Sequence, residues 1–330
     1  MQTCFVNCRP ILRHATGTQL RTSMDGCLKR GRRNNASPVG LCQVLVLLWF
    51  VAGLNVCPAQ DNPSISDGDS SVFISRKTAI TYGIGIHSVL AIGLEYRWWW
   101  RGNYHPFRFA VEGFLDDYSL GVDKAGHFYT SYFYFNALYN TMKWGGYDES
   151  TTMWVSVVVP ALYALSLEIG DGYSIYQFAP DDLLANSLGI GYGVLQKTYP
   201  SLSNFIFKWS YYPAGKYGAS LSHPLSNDYD GHIYWLSFRV HNLLPESYRN
   251  YWPKFLNLAV GYGAKNSSLE STGPMKRKFA VSLDYNLTEL PLNGDTWETV
   301  KNIFDLLHFP APGVRVIDGE RAQFKPLLLN

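Results

Sequence analysis

Hydrophobic and polar positions divide the chain into two regimes. Residues 78–95 are apolar with small residues throughout and read as a packed helix that ends in the aromatic run Trp98-Trp99-Trp100. Residues 101–122 show no period and contain Pro106, so they read as irregular. Residues 124–143 return to helical spacing, rich in Tyr and Phe, and Gly145-Gly146 ends them. Residues 151–169 form a second strongly apolar helix, with Pro160 as a kink and Asp171-Gly172 as its close. Residues 181–197 form a third, in which Gly189 and Gly193 stand four apart, the spacing that lets two helices approach closely. None of these segments is an uninterrupted run of 18 or more apolar residues, so short membrane helices, interfacial helices and a very apolar soluble bundle all fit.

After Pro200 the period changes to two. Tyr234, Leu236, Phe238 and Val240 alternate with Trp235, Ser237 and Arg239; Leu256, Leu258 and Val260 repeat the pattern. Phe279, Val281, Leu283, Tyr285 and Leu287 alternate with Ala280, Ser282, Asp284 and Asn286. Strict alternation predicts three antiparallel strands with one apolar face, which covers the helices or faces lipid. On this reading Val281, Leu283 and Tyr285 are buried against protein or lipid, and Ser282 and Asp284 point the other way. Three strands are too few to close a transmembrane barrel. The expected fold is therefore α+β: an apolar, membrane-associated bundle of about four helices over residues 78–200, followed by a small antiparallel sheet within a β-rich region, 201–330.

The first 60 residues have a different pattern. Lys29 to Arg33 are a positive cluster, Val39 to Val56 are apolar, and Cys57-Pro58-Ala59-Gln60 follows with a small residue at 59. That order is a secretory signal peptide. The stretch before Met24 is long for such a leader, which makes Met24 a candidate start. A retained anchor helix is the alternative. A lipid anchor at Cys57 calls for a small residue before it, where Val56 stands. Residues 61–77 are polar and read as a flexible mature N-terminus.

Composition sharpens this picture. Charged residues are 16% of the chain and aromatic residues 15%; so little charge with so many amphipathic rings points to a membrane interface or envelope lipid as partner. Seven of the 28 Lys and Arg but one of the 26 Asp and Glu precede residue 60, so the remainder is about four units acidic and offers no basic patch for nucleic acid. All five cysteines lie before residue 60, which leaves the mature part without disulfides or thiolate metal sites and suits an oxidising compartment.

Three polar pairs sit on the predicted helices: Asp123 and His127 in DKAGHF, Glu168 and Asp171 in EIGDG, Asp182 and Asn186 in DDLLAN. Spacings of three or four put each pair on one helical face. Up-down-up connectivity places the three ends together, so Asp123, Lys124, His127, Glu168, Asp171, Asp182 and Asn186 are expected to share a polar pocket. Asp123, Asp181 and Asp182 also suit N-caps. Acids at the end of the second helix oppose its dipole and need compensation, from Lys124 or a bound cation. Two chemistries remain open beside a structural network. One is a divalent metal (Mg, Mn or Zn) on His127, Glu168, Asp171 and Asp182. The other is metal-free acid–base work with His127 as base and Asp123 and Lys124 beside it.

DKAGHF (123–128), LEIGDGYS (167–174) and FAPDDLLANSLG (178–189) together resemble the YfiM-like family of periplasmic lipoproteins, the domain of unknown function DUF2279. NDYDGHIYWLS (227–237) and WPKFLNLAVGYGA (252–264) are similar to its longer exported members in Bacteroidota. The resemblance marks Asp123, Lys124, Gly126, His127, Glu168, Asp171, Gly172, Asp182, Asn186 and Gly189. It implies a periplasm-facing protein associated with the outer or inner membrane, without an assigned activity. The outline D-K-x-x-H-F, an acidic helix end and D-x-x-x-N-x-x-G also resembles, more loosely, the VanZ-like membrane proteins. The functional expectation is an exported envelope protein with a structural or binding role; the alternative is a metal-dependent hydrolase of lipid or cell-wall material.

Overall fold

The structure, a computed structural model, describes residues 75–214, 228–267 and 273–329. The leader and most of the 61–77 segment lie outside the described residues. Ser75 caps helix α1 (Arg76–Glu95) by accepting from the Thr78 N–H, and one π-helical turn carries it on to Trp100. Helices α2 (Val122–Trp144), α3 (Glu149–Gly172) and α4 (Pro180–Thr198) follow. Two single-turn helices, α5 (Val240–Leu243) and α6 (Glu246–Arg249), and the amphipathic α7 (Asp295–Phe304) lie among the strands. The architecture is thus a mixed one of helices and antiparallel sheet.

The tyrosine- and phenylalanine-rich α2 is the central helix. Tyr132, Phe135 and Leu138 are buried on it, and α1, α3, α4 and α7 all pack against it. Close contact with α4 depends on two glycines. A Cβ on Gly189 would stand 2.1 Å from the Phe128 carbonyl oxygen, and one on Gly193 would stand 2.3 Å from the Phe135 ring. The spacing of four therefore marks a tight helix crossing in fact. Pro160 is accommodated within α3, buried on the face turned to α2 and α4.

Six strands, not three, form one antiparallel meander in the order β1-β2-β3-β4-β5-β6: Phe205–Tyr211, His232–Phe238, Leu256–Lys265, Lys276–Tyr285, Ala311–Ile317 and Gln323–Leu328. Of the three additional strands, β1 does alternate, with Phe205, Phe207, Trp209 and Tyr211 on one face and Ile206, Lys208 and Ser210 on the other, whereas β5 and β6 are broken by Pro312, Gly313 and Pro326 and by a bulge between Ala311 and Gly313. The period-two reading holds in β4, but the side that faces the protein interior is the polar one. Lys278, Ala280, Ser282 and Asp284 are buried, while Phe279 and Val281 are exposed. The expectation that Val281 packs against protein is corrected on this point; Leu283 and Tyr285 are half-buried.

The polar side is the concave side of a curled sheet. Lys208 on β1 pairs with Asp284 on β4 at 2.8 Å. In a flat sheet those strands stand about 14 Å apart, beyond the reach of the two side chains, so the sheet must close toward them. The Trp209–Leu307 bridge brings the chain after α7 alongside β1, and β5 begins at Ala311, four residues on. His308 stacks on Trp235 inside the curl with ring centroids 3.9 Å apart. Lys208 also reaches Asp305 at 3.0 Å and the Tyr285 carbonyl, Arg239 holds Asp305 at 3.3 Å, and Ser237 donates to Asp284. Lys208 and Asp284 are 0% exposed. Ions so buried are stable only when paired and hydrogen-bonded.

Candidate functional site

The site is built where the N-termini of α2 and α4 meet the irregular stretch 108–121. Leu120 and Gly121 turn the chain into α2 with positive φ, and a Cβ on Gly121 would stand 2.6 Å from the Phe114 carbonyl. The Asp117 carboxylate accepts from the backbone N–H groups of Ser119 and Gly121, and the Ser119 hydroxyl accepts the Asp123 N–H. The turn, not Asp123, therefore satisfies the start of α2, and the Asp123 carboxylate is free to face inward. At the start of α4 the N-cap position is Ala179 and Pro180 is the first residue. The Asp181 carboxylate instead accepts from the Glu112 and Gly113 N–H groups and so pins the irregular stretch over the site.

Lys124, 3% exposed, is the centre of the cluster. Its Nζ lies 2.6 Å from Asp182, 2.7 Å from Glu112, 3.2 Å from Asp123 and 3.9 Å from Asp181. His127 Nε2 stands 3.7 Å from Asp182 and 3.9 Å from Asp123. The opposite ring nitrogen is set by a relay. Ser131 donates to Asn186 Oδ1 at 2.8 Å, which turns the amide so that its NH2 group meets His127 Nδ1 at 3.2 Å. In the neutral ring Nδ1 is then the acceptor and Nε2 carries the proton toward the two carboxylates. Tyr229 donates to Asp123 at 3.1 Å and is itself paired with the Tyr118 hydroxyl.

Glu168 is buried and accepts from the Ala179 N–H at 3.2 Å; Asp171 accepts from Trp100 Nε1 at 2.7 Å. Each acid near the end of α3 thus has one hydrogen-bond donor. Glu168 Oε1 is buried and without a hydrogen bond. Its charge adds to that of Asp123 and Asp182 at His127. Ligand atoms of Asp123, His127 and Asp182 lie within 4.8 Å of one another, as do those of Glu112, Asp117 and Asp123. Among the described residues neither such grouping includes Glu168 or Asp171.

The electrostatics follow from burial against pairing. Burial opposes the imidazolium of His127, but Asp123, Asp182 and Glu168 outweigh it and raise its pKa. Burial likewise opposes charge on Lys124, and Asp123, Asp182 and Glu112 raise its pKa well above that of a free lysine. Glu112 is pushed up to about 7, mainly by burial, with Lys124 opposing and Asp123 adding to the rise. Asp182 is raised by burial, whereas His127 and Lys124 overcome burial at Asp123 and lower it. The arrangement can hold a shared proton among carboxyls and imidazole around one fixed ammonium.

The glycines of the motifs have packing roles. A Cβ at Gly126 would meet the Tyr234 hydroxyl at 2.9 Å, one at Gly172 the Phe107 ring at 2.3 Å, and one at Gly170 the Trp100 ring at 2.1 Å. Glu112, Asp117, Tyr118 and Tyr229 escape a reading by helical spacing, because they lie on irregular chain or arrive from between the strands. Glu95, buried in α1 and bonded to the Tyr163 hydroxyl, has one signal in the sequence: it is the single acid in an otherwise apolar helix.

Residues 112–198, roughly a quarter of the chain, match the model of the family DUF2279, described as predicted periplasmic lipoprotein. The match spans the three motifs and the whole polar cluster except Tyr229, and it agrees with an exported protein of the cell envelope. The looser VanZ-like likeness gains nothing from it, and the sheet lies beyond it. No curated protein and no solved structure matches the chain.

Proposed function

We propose that this is a membrane-associated envelope protein in which a four-helix unit, within residues 78–200, holds a charge-balanced polar cluster with a structural or binding role, and is followed by the β-rich residues 201–330. The observation that carries the reading is the outer surface of α1 and α3. Both are long and apolar enough to cross a membrane, at 25 residues with the π-turn included and 24 residues. Neither is packed like a core helix, since only 11% and 22% of their apolar windows are buried. Val89 is 73% exposed and Leu162 60%, and Leu90, Trp154, Val158 and Ile169 share their setting. Glu95 and Glu168 on these helices are buried, as expected where the surroundings are hydrocarbon, and Lys77, Arg97 and Glu149 stand exposed at the helix ends.

The test is fractionation of cells expressing the full chain. The protein is expected in the membrane fraction after an alkaline carbonate wash and in the detergent phase on phase separation. Release by carbonate alone would refute insertion.

The hydrolase reading draws on Asp123, His127 and Asp182, whose ligand atoms are close enough for one ion. Lys124 supports the binding or structural role instead, since its ammonium already neutralises the carboxylates that a divalent ion would use. Purified protein is expected to carry no stoichiometric Mg, Mn or Zn by elemental analysis. One equivalent that is lost on Asp182→Asn would restore the hydrolase reading.

A further inference from the structure

We propose that the convex face of the six-stranded sheet is a second lipid-contacting surface, resting on the acyl chains of the envelope membrane. The proposal extends the membrane reading of the helices to a part of the chain outside the family match.

The first support is the register. Leu236, Val260, Val281, Val314 and Phe324 stand in one row across β2 to β6, and Tyr262, Phe279 and Val316 stand in the next. Leu258 and Leu283 continue the face. From Leu256 to Tyr262 the band is about 20 Å long at 3.4 Å per residue, and no charged residue interrupts it. Charge returns where it ends: Arg277 pairs with Asp116 at 3.0 Å beyond Phe279. At the opposite end stand the exposed rings of Tyr251 and Phe255, the type of side chain that collects at a membrane interface.

The second support is inversion. A sheet folded for water buries valine and phenylalanine and exposes lysine and aspartate. Here Lys208 and Asp284 are enclosed while Val281 is 48% exposed. The inner side holds these ions beside the apolar cluster of Ile233, Trp235, Ala259, Ala280 and Leu328; an apolar outer face over an interior that contains charge is the pattern of sheets whose outer solvent is lipid.

The third support is continuity. At β1 and β2 the same face is already covered by α2 and α4: Phe207 packs on Phe128, Tyr132 and Tyr192, and Tyr234 packs on Tyr129. Beyond β2 the chain before α2 still meets Tyr262, whose hydroxyl donates to the Leu120 carbonyl; Leu258, Val260, Val281, Val314 and Phe324 run on exposed, while α4 itself turns Leu184, Leu188 and Leu195 outward. The edge strand β6 carries Lys325 and Pro326, residues that discourage pairing with a second copy. The face, not the edge, is therefore the contact surface.

All five cysteines precede residue 60, so a full chain with these changed to Ser accepts single reporters. Val260→Cys, Val281→Cys and Val314→Cys on the sheet, Leu162→Cys on α3 and Asp116→Cys at the charged end would carry a bimane label. The protein would be reconstituted in phosphatidylethanolamine–phosphatidylglycerol vesicles. The expected result is severalfold stronger quenching by doxyl-labelled lipid than by iodide at the three sheet positions and at residue 162, with the reverse at residue 116. Lipid quenching at residue 162 with iodide quenching at all three sheet positions would overturn the inference and leave the helical reading standing. Iodide quenching at every position would overturn both. Sheet labels shielded from both quenchers would show that protein covers the face, and would also overturn it. Three sheet positions guard against one variant that fails to fold.

Discussion

Lys124 is a single cation among Asp123, Asp182 and Glu112, and its removal leaves buried carboxylates with no ammonium to balance them. Lys124→Met is expected to cost about 3–5 kcal/mol, the range for breaking a buried pair from one side, read as a lower unfolding midpoint in detergent. Adding Asp182→Asn should recover part of the loss; no recovery would mean that the two residues are not coupled. Glu112 makes a separate prediction about pH. Its folded pKa, about 7, lies above the ordinary value of 4.5, so its contribution is fully present below about pH 4.5 and is lost as pH rises through about 7. The raised pKa of His127 acts in the same direction from about pH 6.5 upward. Asp123, held low, acts only in acid, outside this window. Stability should therefore fall between pH 5 and 8, by up to about 3 kcal/mol from Glu112 at 1.36 kcal/mol per unit. Glu112→Gln should flatten the curve. An unchanged slope in thermal melts at the two pH values would remove Glu112 from the cluster.

The helix elements depend on where the chain omits side chains. Gly189 and Gly191 lie two apart on α4 and have opposite surroundings. A methyl group at Gly189 meets the Phe128 carbonyl at 2.1 Å, and one at Gly191 meets nothing within 4 Å. Gly191→Ala should stabilise by about 0.5–1 kcal/mol through helix propensity alone. Gly189→Ala must push α4 away from α2 and should cost at least about 1–3 kcal/mol, as overpacking does. Equal midpoints for the two variants would show that the crossing is looser than drawn. The strands show a different dependence. Alternation in β4 was legible because period two needs nothing beyond the strand itself, but which side turns inward is a property of the sheet's curl. β5 and β6 were not legible, because a bulge and prolines erase the period; β1 keeps the period, with four aromatic residues on one face.

At the scale of the whole molecule, export comes first. Sequencing the purified protein's N-terminus should find a start between residues 58 and 62. A chain that retains residues 39–56 would refute cleavage, and a lipid-modified Cys57 would place the anchor there.

The sequence by itself determined the four long helices α1 to α4, though not α5 to α7, together with the alternation of β3 and β4, the low charge and high aromatic content, and the three motifs over 123–189. Each of these is written in local spacing, and local spacing follows directly from 3.6 and 2 residues per repeat. Tertiary structure alone decided that Lys124 points into the cluster, that Glu112 and Tyr229 join it, and that Asp181 ties down the stretch above it. It also decided that the polar side of the sheet lies inside. These are meetings between residues separated by up to 106 positions, or brought in on chain without a period. Their partners are chosen by charge balance and by the curvature of the assembled sheet, neither of which any single segment carries.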